Sequence, residues 1–487
     1  MTNLIPRIIA ALASLCSATL LCVLQVVALA PPAQALTGIG HGPGYLSATG
    51  WWLGTYRLDD GAQGFCLNAG KPSPTGHPLD YADGSALGWF TPEQSARLAY
   101  LSRSWAGTGD RLTAGAGQIA TWLVAGMGGH SAEQFAARAG ADADAVLARA
   151  HAMAEESASL ASTDFRADAI VELAETGPGR VRVELTVDRL SGPETLPPGA
   201  HTARVALDGA TFLSGGATAD IPTGTDIPIV PSGSSASVAI GMSAMLEALP
   251  YGDRLTVAVP RDDAQAVLIA VPATASASAN ASAVGPSPLP FQPIVSTVTS
   301  SATAAPGAAI RDRLTIGVAA GAGLLPGWGV WMSEDGFAPI TATVESTLHG
   351  PFAEPIAPGP SAPEDAPAVC TVETVVTGTG EYETPACELP AAGYYVWTER
   401  IDAARTPAAE GGARLLPWQS KFGVASEVTF APAPPIVAAP ERPATLAATG
   451  GRVATADPAI ALGLLATGLG ALAVASVVRH RRTRGRS

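Results

Sequence analysis

Lysine is almost missing. The 487 residues hold two, Lys71 and Lys421. Charged residues of all kinds make up only 14% of the chain, aromatic residues 6%, and there are five cysteines. What charge there is leans acidic, with 28 Lys+Arg against 42 Asp+Glu and a net charge of −14. Residues 1–35 carry one arginine; residues 450–487 carry six arginines and one aspartate. Residues 36–449 therefore keep 21 basic and 41 acidic groups, a net charge of −20. A surface of that sign repels nucleic acid and anionic lipid, which excludes both as partners. The acidic residues show no calcium-loop spacing, so no metal and no cofactor are expected. The poverty in lysine, beside abundant Ala and Gly, reads as high-GC coding bias.

The apolar runs are confined to the two ends. Arg7 precedes an uncharged stretch from Ile8 to Ala30, and Ala33-Gln34-Ala35 has the small-x-small form of a signal-peptidase site. Residues 1–35 thus read as a secretory signal cut after Ala35. A retained N-terminal anchor is the alternative. At the other end, Ala459 to Val478 is uncharged and long enough to span a bilayer. Arg479, Arg481, Arg482, Arg484 and Arg486 follow, a cluster that stays cytoplasmic. Just before the span lies Leu446-Ala447-Ala448-Thr449-Gly450. Motif, span and basic tail in that order resemble a sortase sorting signal over residues 446–487. Ala447 stands where the common LPxTG motif has Pro, and the LAxTG form resembles the variant read by class E sortases of high-GC actinobacteria. The resemblance implies cleavage between Thr449 and Gly450 and transfer of the chain to peptidoglycan. A plain single-pass membrane protein is the alternative.

Between the ends, about 415 residues are too many for one ordinary core and predict two to four domains. Residues 36–163 hold the helix signals. Thr91-Pro92-Glu93-Gln94 and Ser131-Ala132-Glu133-Gln134 are capping boxes. After the second, Phe135, Ala139, Ala143, Val146, Leu147 and Ala150 recur at spacings of three and four, predicting one long helix. Gly117 to Val124 reads as a short apolar helix, and Trp51 to Asn68 as strands and turns. Residues 164–273 predict a β-sandwich. Val181-Arg182-Val183-Glu184-Leu185-Thr186-Val187 alternates strictly, and 255–259 and 267–271 are strand-like runs. Residues 274–308 are Ala, Ser and Pro in bulk and read as a linker. Residues 309–432 read as a second β-rich unit, and 433–445 as a Pro-rich stalk. The expected architecture is multidomain: a mixed α+β first domain, two β-sandwich-like domains, and a C-terminal sorting-signal helix.

Cysteine use is the most informative count. Cys16 and Cys22 leave with the signal. Cys370 and Cys387 flank a strand-like run and a Gly-Thr-Gly turn, close enough to bridge, a bond typically worth about 3 kcal/mol. Cys66 is then unpaired, and an odd cysteine in a secreted protein is a reactive group or an intermolecular link.

The setting of that cysteine is Phe65-Cys66-Leu67, and 52 residues later comes Gln118-Ile119-Ala120-Thr121-Trp122. The pair resembles the thioester, or TQxA, domains of Gram-positive surface adhesins. The resemblance covers about 130 residues. It matches Cys66 to the family's cysteine, Gln118 to its glutamine and Trp122 to the aromatic residue beyond. Gly117 stands where the family usually has Thr. What it implies is a bond between the Cys66 sulfur and the Gln118 side-chain carbonyl, with loss of ammonia. A surface amine on a host protein, a neighbouring cell or a polyamine then attacks that carbonyl and is captured in a single turnover. That is binding rather than enzyme catalysis. Chemically, a thioester is a far better acylating agent than an amide. Making one needs a thiolate held against the amide. A glutamine at the start of an apolar helix would have free N–H groups nearby for the oxyanion. Trp122, one turn on, shields the bond from water, and Phe65 flanks it. Asp59, Asp60 and His77 are candidates to move the proton. Two other readings stand beside this one. A cysteine hydrolase would need a histidine beside Cys66, with His41, His77, His130 and His151 as candidates. An inert stalk subunit would need none. Trp51, Trp52 and Trp89 read as core, with a ligand groove as the alternative.

The two β-rich units resemble the stalk domains of Gram-positive surface proteins, which often carry Lys–Asn isopeptide cross-links. The first has no lysine and the second, with Lys421, has no asparagine. The disulfide is the expected staple.

Overall fold

The computed structural model describes residues 36–435. The expected signal cleavage at Ala35, most of the expected Pro-rich stalk, and the expected sorting motif at Thr449 and Gly450 with its span lie outside these residues. Among the described residues no helix is long and apolar enough to cross a membrane.

The first unit is a closed, antiparallel six-stranded barrel covered by helices. Its first four strands are β1 (Leu36–Leu46), β2 (Trp52–Leu58), β3 (Gln63–Cys66) and β4 (Pro78–Asp83). The helices follow as α1 (Pro92–Leu101), α2 (Arg111–Ala125), α3 (Ala132–Ala136) and α4 (Ala143–Leu160). Both capping boxes form. Thr91 Oγ1 accepts from Gln94 N at 3.2 Å and Gln94 Oε1 accepts from Thr91 N at 3.0 Å. Ser131 and Gln134 repeat the pattern at the head of α3. The single long helix expected after Ser131 is instead broken. Gly140 sits at φ 59°, a left-handed conformation open to glycine, and the chain restarts as α4. α2 is two turns longer than the apolar run 117–124 suggests. Asp110 caps it, accepting from Thr113 N at 2.8 Å. Its glycines weaken the local helix signal but admit close packing. A Cβ on Gly115 would lie 3.2 Å from the Tyr45 ring, and one on Gly117 only 2.4 Å from the Phe65 ring. Helix and barrel share one core, with Leu98, Leu101, Ile119, Val146 and Met153 packed on Leu53, Leu58, Leu79 and Leu268.

The barrel is closed by strands from far along the chain. Thr256–Pro260 pairs with β4, and Val267–Ile269 pairs with β3. These two runs were expected in the sandwich. Apolar patterning marks a strand but does not name its partner. All but the last strand of the sandwich lies between α4 and these closing strands, and that last strand follows them. One sheet contains Ser162–Glu172, Gly179–Arg189, Ile227–Pro231 and Ala210–Phe212. The other contains Thr218–Pro222, Thr202–Asp208, Ser237–Leu249 and Ala275–Pro286. Val181, Val183, Leu185 and Val187 face Val205, Ile240, Met242 and Leu246 in a shared core. The last strand corrects the linker expected over 274–308. Residues 275–286 alternate small residues with period two and pair along Ser237–Leu249. Their low hydrophobicity hides the alternation.

The third unit also begins earlier than expected. Pro293–Thr299 pairs with Asp312–Val318, and the main sheet runs Ala368–Val376, Ala342–Phe352, Gly393–Ile401 and Trp418–Gln419. Cys370 and Cys387 form a disulfide with Cα atoms 6.2 Å apart, as their positions in the sequence suggest. Three carboxylates are buried in this unit. Asp312, Glu399 and Glu427 are 0%, 1% and 4% exposed. Thr297 Oγ1 donates to Glu427, while both oxygens of Asp312 and of Glu399 lack partners among the described residues. Burial pushes Asp312 up to about 6 and Glu427 up to about 7. Burial, with the fields of Asp312 and Glu427 added, pushes Glu399 up as well. Raised carboxyl groups leave stability intact below their unfolded values near pH 4 and remove it as pH rises through the folded ones. A displacement of this size corresponds to about 3 kcal/mol per group. Thermal melts should therefore show this unit more stable near pH 5 than near pH 8, and Glu427→Gln should raise the melting temperature near pH 8. Equal melts at both pH values would refute a buried charged cluster.

Candidate functional site

Cys66 ends β3, one residue after Phe65, and both are fully buried. It is held between two neighbours. β2 pairs with β3 through Tyr56 and Gly64, and Val267 pairs directly with Cys66. Cys66 is the free cysteine among the described residues. α2 brings Gln118 across to it. The Gln118 amide meets the Cys66 peptide group twice, its Oε1 accepting from Cys66 N at 2.8 Å and its Nε2 donating to Cys66 O at 2.8 Å. Gln118 is 1% exposed. An amide buried with both ends paired to one residue's backbone is fixed in position and orientation.

The site differs from the sequence expectation in one chemical respect. Gln118 lies in the middle of α2, not at its start. The N–H groups of that helix interior are bonded within the helix. The donor at the Gln118 carbonyl is instead the backbone N–H of Cys66 itself. Gly117 also gains a reason. The Phe65 ring occupies the space a side chain there would need, so a threonine would force ring and helix apart.

Burial raises the Cys66 thiol well above its ordinary value. The sulfur is therefore a neutral thiol in this setting. Tyr56 is 7% exposed, and burial holds its hydroxyl protonated. His41 stacks flat on Trp52, with centroids 4.2 Å apart, and meets Tyr56 edge-on at 5.4 Å. Burial lowers the His41 pKa.

A cavity of about 200 Å³ opens at this point. Gln118, Trp122, Tyr56, His41, Lys71 and Arg138 are among its lining residues. Trp122 is 3% exposed and lies against Phe135 at 4.3 Å between ring centroids. The expected proton carriers are elsewhere. His77 pairs with Asp262 at 2.9 Å, Asp59 accepts from Thr37 N at 3.1 Å, and Asp60 accepts from Tyr81 Oη at 2.6 Å. None of the three lines the cavity. Of the four histidines considered for a hydrolase, His41 alone lines it. No hydrogen bond joins Cys66 to a histidine among the described residues. The tryptophans expected in the core divide. Trp51 and Trp89 are exposed, at 62% and 45%, while Trp52 is half-buried, and Trp51 and Trp52 line the cavity.

Tyr56, Arg138 and Gln265 also line the cavity and were not read from the sequence. Tyr56 had a signal, since it shares the inward face of β2 with Leu58. Gln265 had none, because it arrives with the distant closing strands.

No family model matches this chain. No curated protein matches it either. Among solved structures it is similar to the Bacillus anthracis TIE protein, at 12% identity over 82% of this chain and 81% of that one, with a TM-score of 0.36. The thioester domain of the Enterococcus faecium TIE86 protein matches at 15% identity over 52% of this chain and 96% of that one, with a TM-score of 0.30. A pilus-presented adhesin, Spy0125 (Cpa), matches at 8% identity over 80% and 73%, with a TM-score of 0.23.

Proposed function

We propose that this chain is a surface adhesin that captures an amine-bearing target through an internal thioester between Cys66 and Gln118. The observation that supports it is the double hydrogen bond between the Gln118 amide and the Cys66 backbone, at 2.8 Å each, in a buried junction beside a cavity. The Cys66 sulfur adds to the Gln118 side-chain carbonyl carbon. The thiol proton passes to the amide nitrogen, which leaves as ammonia. The Cys66 N–H donates to the oxygen on which charge develops, which is the role of an oxyanion donor. Trp122, which lines the cavity with Gln118, limits attack by water. A neutral amine then attacks the same carbon. The carbon–sulfur bond breaks, the sulfur takes the proton released by the amine nitrogen, and the target is left in amide linkage. Each molecule reacts once, so this is covalent binding and not catalysis. The targets are proteins of a host or a neighbouring cell, or polyamines. The motif at Thr449-Gly450 supplies the anchor, with a sortase and peptidoglycan as its partners. An inert stalk protein is the competing reading.

Intact mass of residues 36–445, with and without methylamine, separates the two. The thioester reading expects a mass short by one ammonia, then restored and increased by the amine, with neither change in Cys66→Ala. A full mass with a titratable Cys66 thiol would refute the thioester and leave the inert and hydrolase readings.

A further inference from the structure

The cavity beside Gln118 is lined by two cationic side chains and by no carboxylate. Lys71 and Arg138 contribute to it, while no Asp or Glu does. That is unusual in a chain with 42 acidic residues and 28 basic ones. Lys71 is already paired, its Nζ 3.1 Å from the Asp263 carboxylate. Arg138 pairs with no carboxylate among the described residues, and its guanidinium is held in place by other means. Nη1 donates to Trp52 O at 2.9 Å, and the group lies 4.7 Å from the Phe135 ring and 5.4 Å from the Trp51 ring. A guanidinium has five N–H donors, so most of Arg138's remain for a ligand.

Two more polar atoms belong to lining residues and have no partner. Gln265 Oε1 and Trp122 Nε1 are buried and unbonded among the described residues, in side chains 9% and 3% exposed. Gln265 is fixed from its other end, where Nε2 donates to Lys71 O at 2.8 Å. Buried polar atoms are costly to leave unmatched, and both of these belong to residues that line the cavity with Gln118.

We propose that the cavity selects an amine carrying a carboxylate a few bonds away, with Arg138 holding the carboxylate and Gln265 accepting an N–H of the amine. The proposal rests on the thioester reading and names its substrate class. Arg138 repels a bare ammonium, which narrows the target class by disfavouring the polyamines. Its charge also eases loss of the proton from an ammonium brought close, which yields the free base that attacks. The chemistry is met by a lysine with an acidic neighbour in a protein, or by a free amino acid.

The test follows adduct formation by intact mass on residues 36–445. Paired probes are β-alanine against β-alaninamide, and acetyl-Asp-Lys-amide against acetyl-Asn-Lys-amide. The carboxylate-bearing member should react faster in each pair. Arg138→Gln should cut that preference about tenfold, the scale of a lost charge-assisted hydrogen bond. Arg138→Lys should fall between. A preference in the first pair alone would assign the site to free amino acids, and in both pairs to proteins as well. Because Arg138 also packs on aromatic rings, wild-type protein provides a second measure. Propionate should slow methylamine capture beyond the effect of equal chloride. No wild-type preference, an unchanged ratio in Arg138→Gln, or no effect of propionate would overturn the proposal. An ammonia deficit in the starting protein keeps the thioester reading intact in each of those cases, whereas its absence would refute that reading first.

Discussion

Expressed alone, residues 36–163 should fail to fold. The segment contains every helix of the first unit and four of its six barrel strands, and its end coincides with a natural-looking change in sequence pattern. It lacks Thr256–Pro260 and Val267–Ile269. Without them β3 and β4 each lose a hydrogen-bonded neighbour. The core loses Leu255, Val257, Val267 and Leu268, all buried to 3% exposure or less. At about 2 kcal/mol per buried side chain that is roughly 8 kcal/mol, against a total of about 5–15 for a typical domain. Cys66 would then lie on an open edge, available for intermolecular disulfides. Residues 36–286 retain the closing strands and the last strand of the sandwich, and should fold. Circular dichroism melts give the comparison: a sharp cooperative transition is expected for 36–286 and none for 36–163. A cooperative melt in the shorter segment would mean that the barrel does not need its distant strands.

Gln118→Glu should abolish capture and make the first unit acid-loving. The variant is also the product that water would leave after hydrolysing the thioester, so it describes the spent protein. A carboxylate at 118 could still accept from Cys66 N, but its second oxygen would meet Cys66 O, an acceptor facing an acceptor. Protonation removes the conflict, so the folded-state pKa of the introduced carboxyl group rises above its unfolded value. Stability is then whole below the unfolded value near pH 4, and falls as pH rises through the folded value. An uncompensated buried charge costs about 3–5 kcal/mol. Melts between about pH 4.5 and pH 8 should show a growing deficit against wild type, and intact mass should show no methylamine adduct at any pH. An adduct in this variant would remove Gln118 from the mechanism. A pH-independent deficit would remove the hydrogen-bonded orientation on which the chemistry is argued.

Local features of this chain were readable and long-range pairings were not. Thr91 with Gln94 and Ser131 with Gln134 announce helix starts, because a capping box is a contact between residues three apart. Val181 to Val187 announces a strand for the same reason. Cys370 and Cys387 lie near enough in sequence to suggest their bond. The barrel closure depends on Val267 meeting Cys66, and nothing within a few residues of either encodes that meeting. Residues 275–286 are a strand whose inward positions are mostly alanine, too weakly apolar to show a period. Cys66 stood out as the odd cysteine, and Gln118 was reached through the family resemblance; the structure brings the two together. Arg138 was hidden in the helix pattern after Ser131, which Gly140 breaks, and the middle-of-helix position of Gln118 was hidden by Gly115 and Gly117.

The route of the chain out of the barrel has a mechanical consequence. After Val267–Ile269 the polypeptide runs on to the sandwich edge at Ala275–Pro286 and then to the third unit. A pull from the C-terminal side therefore enters the barrel at Ile269. Ile269 pairs with Gly64, and Val267 with Cys66. On the proposed anchor and thioester, tension passing through the sandwich would reach the strand paired with β3, while a captured target would pull on α2 from the opposite partner of the pair. On that reading, load would draw the released thiol away from the new amide and would bias the molecule against reversal of the capture.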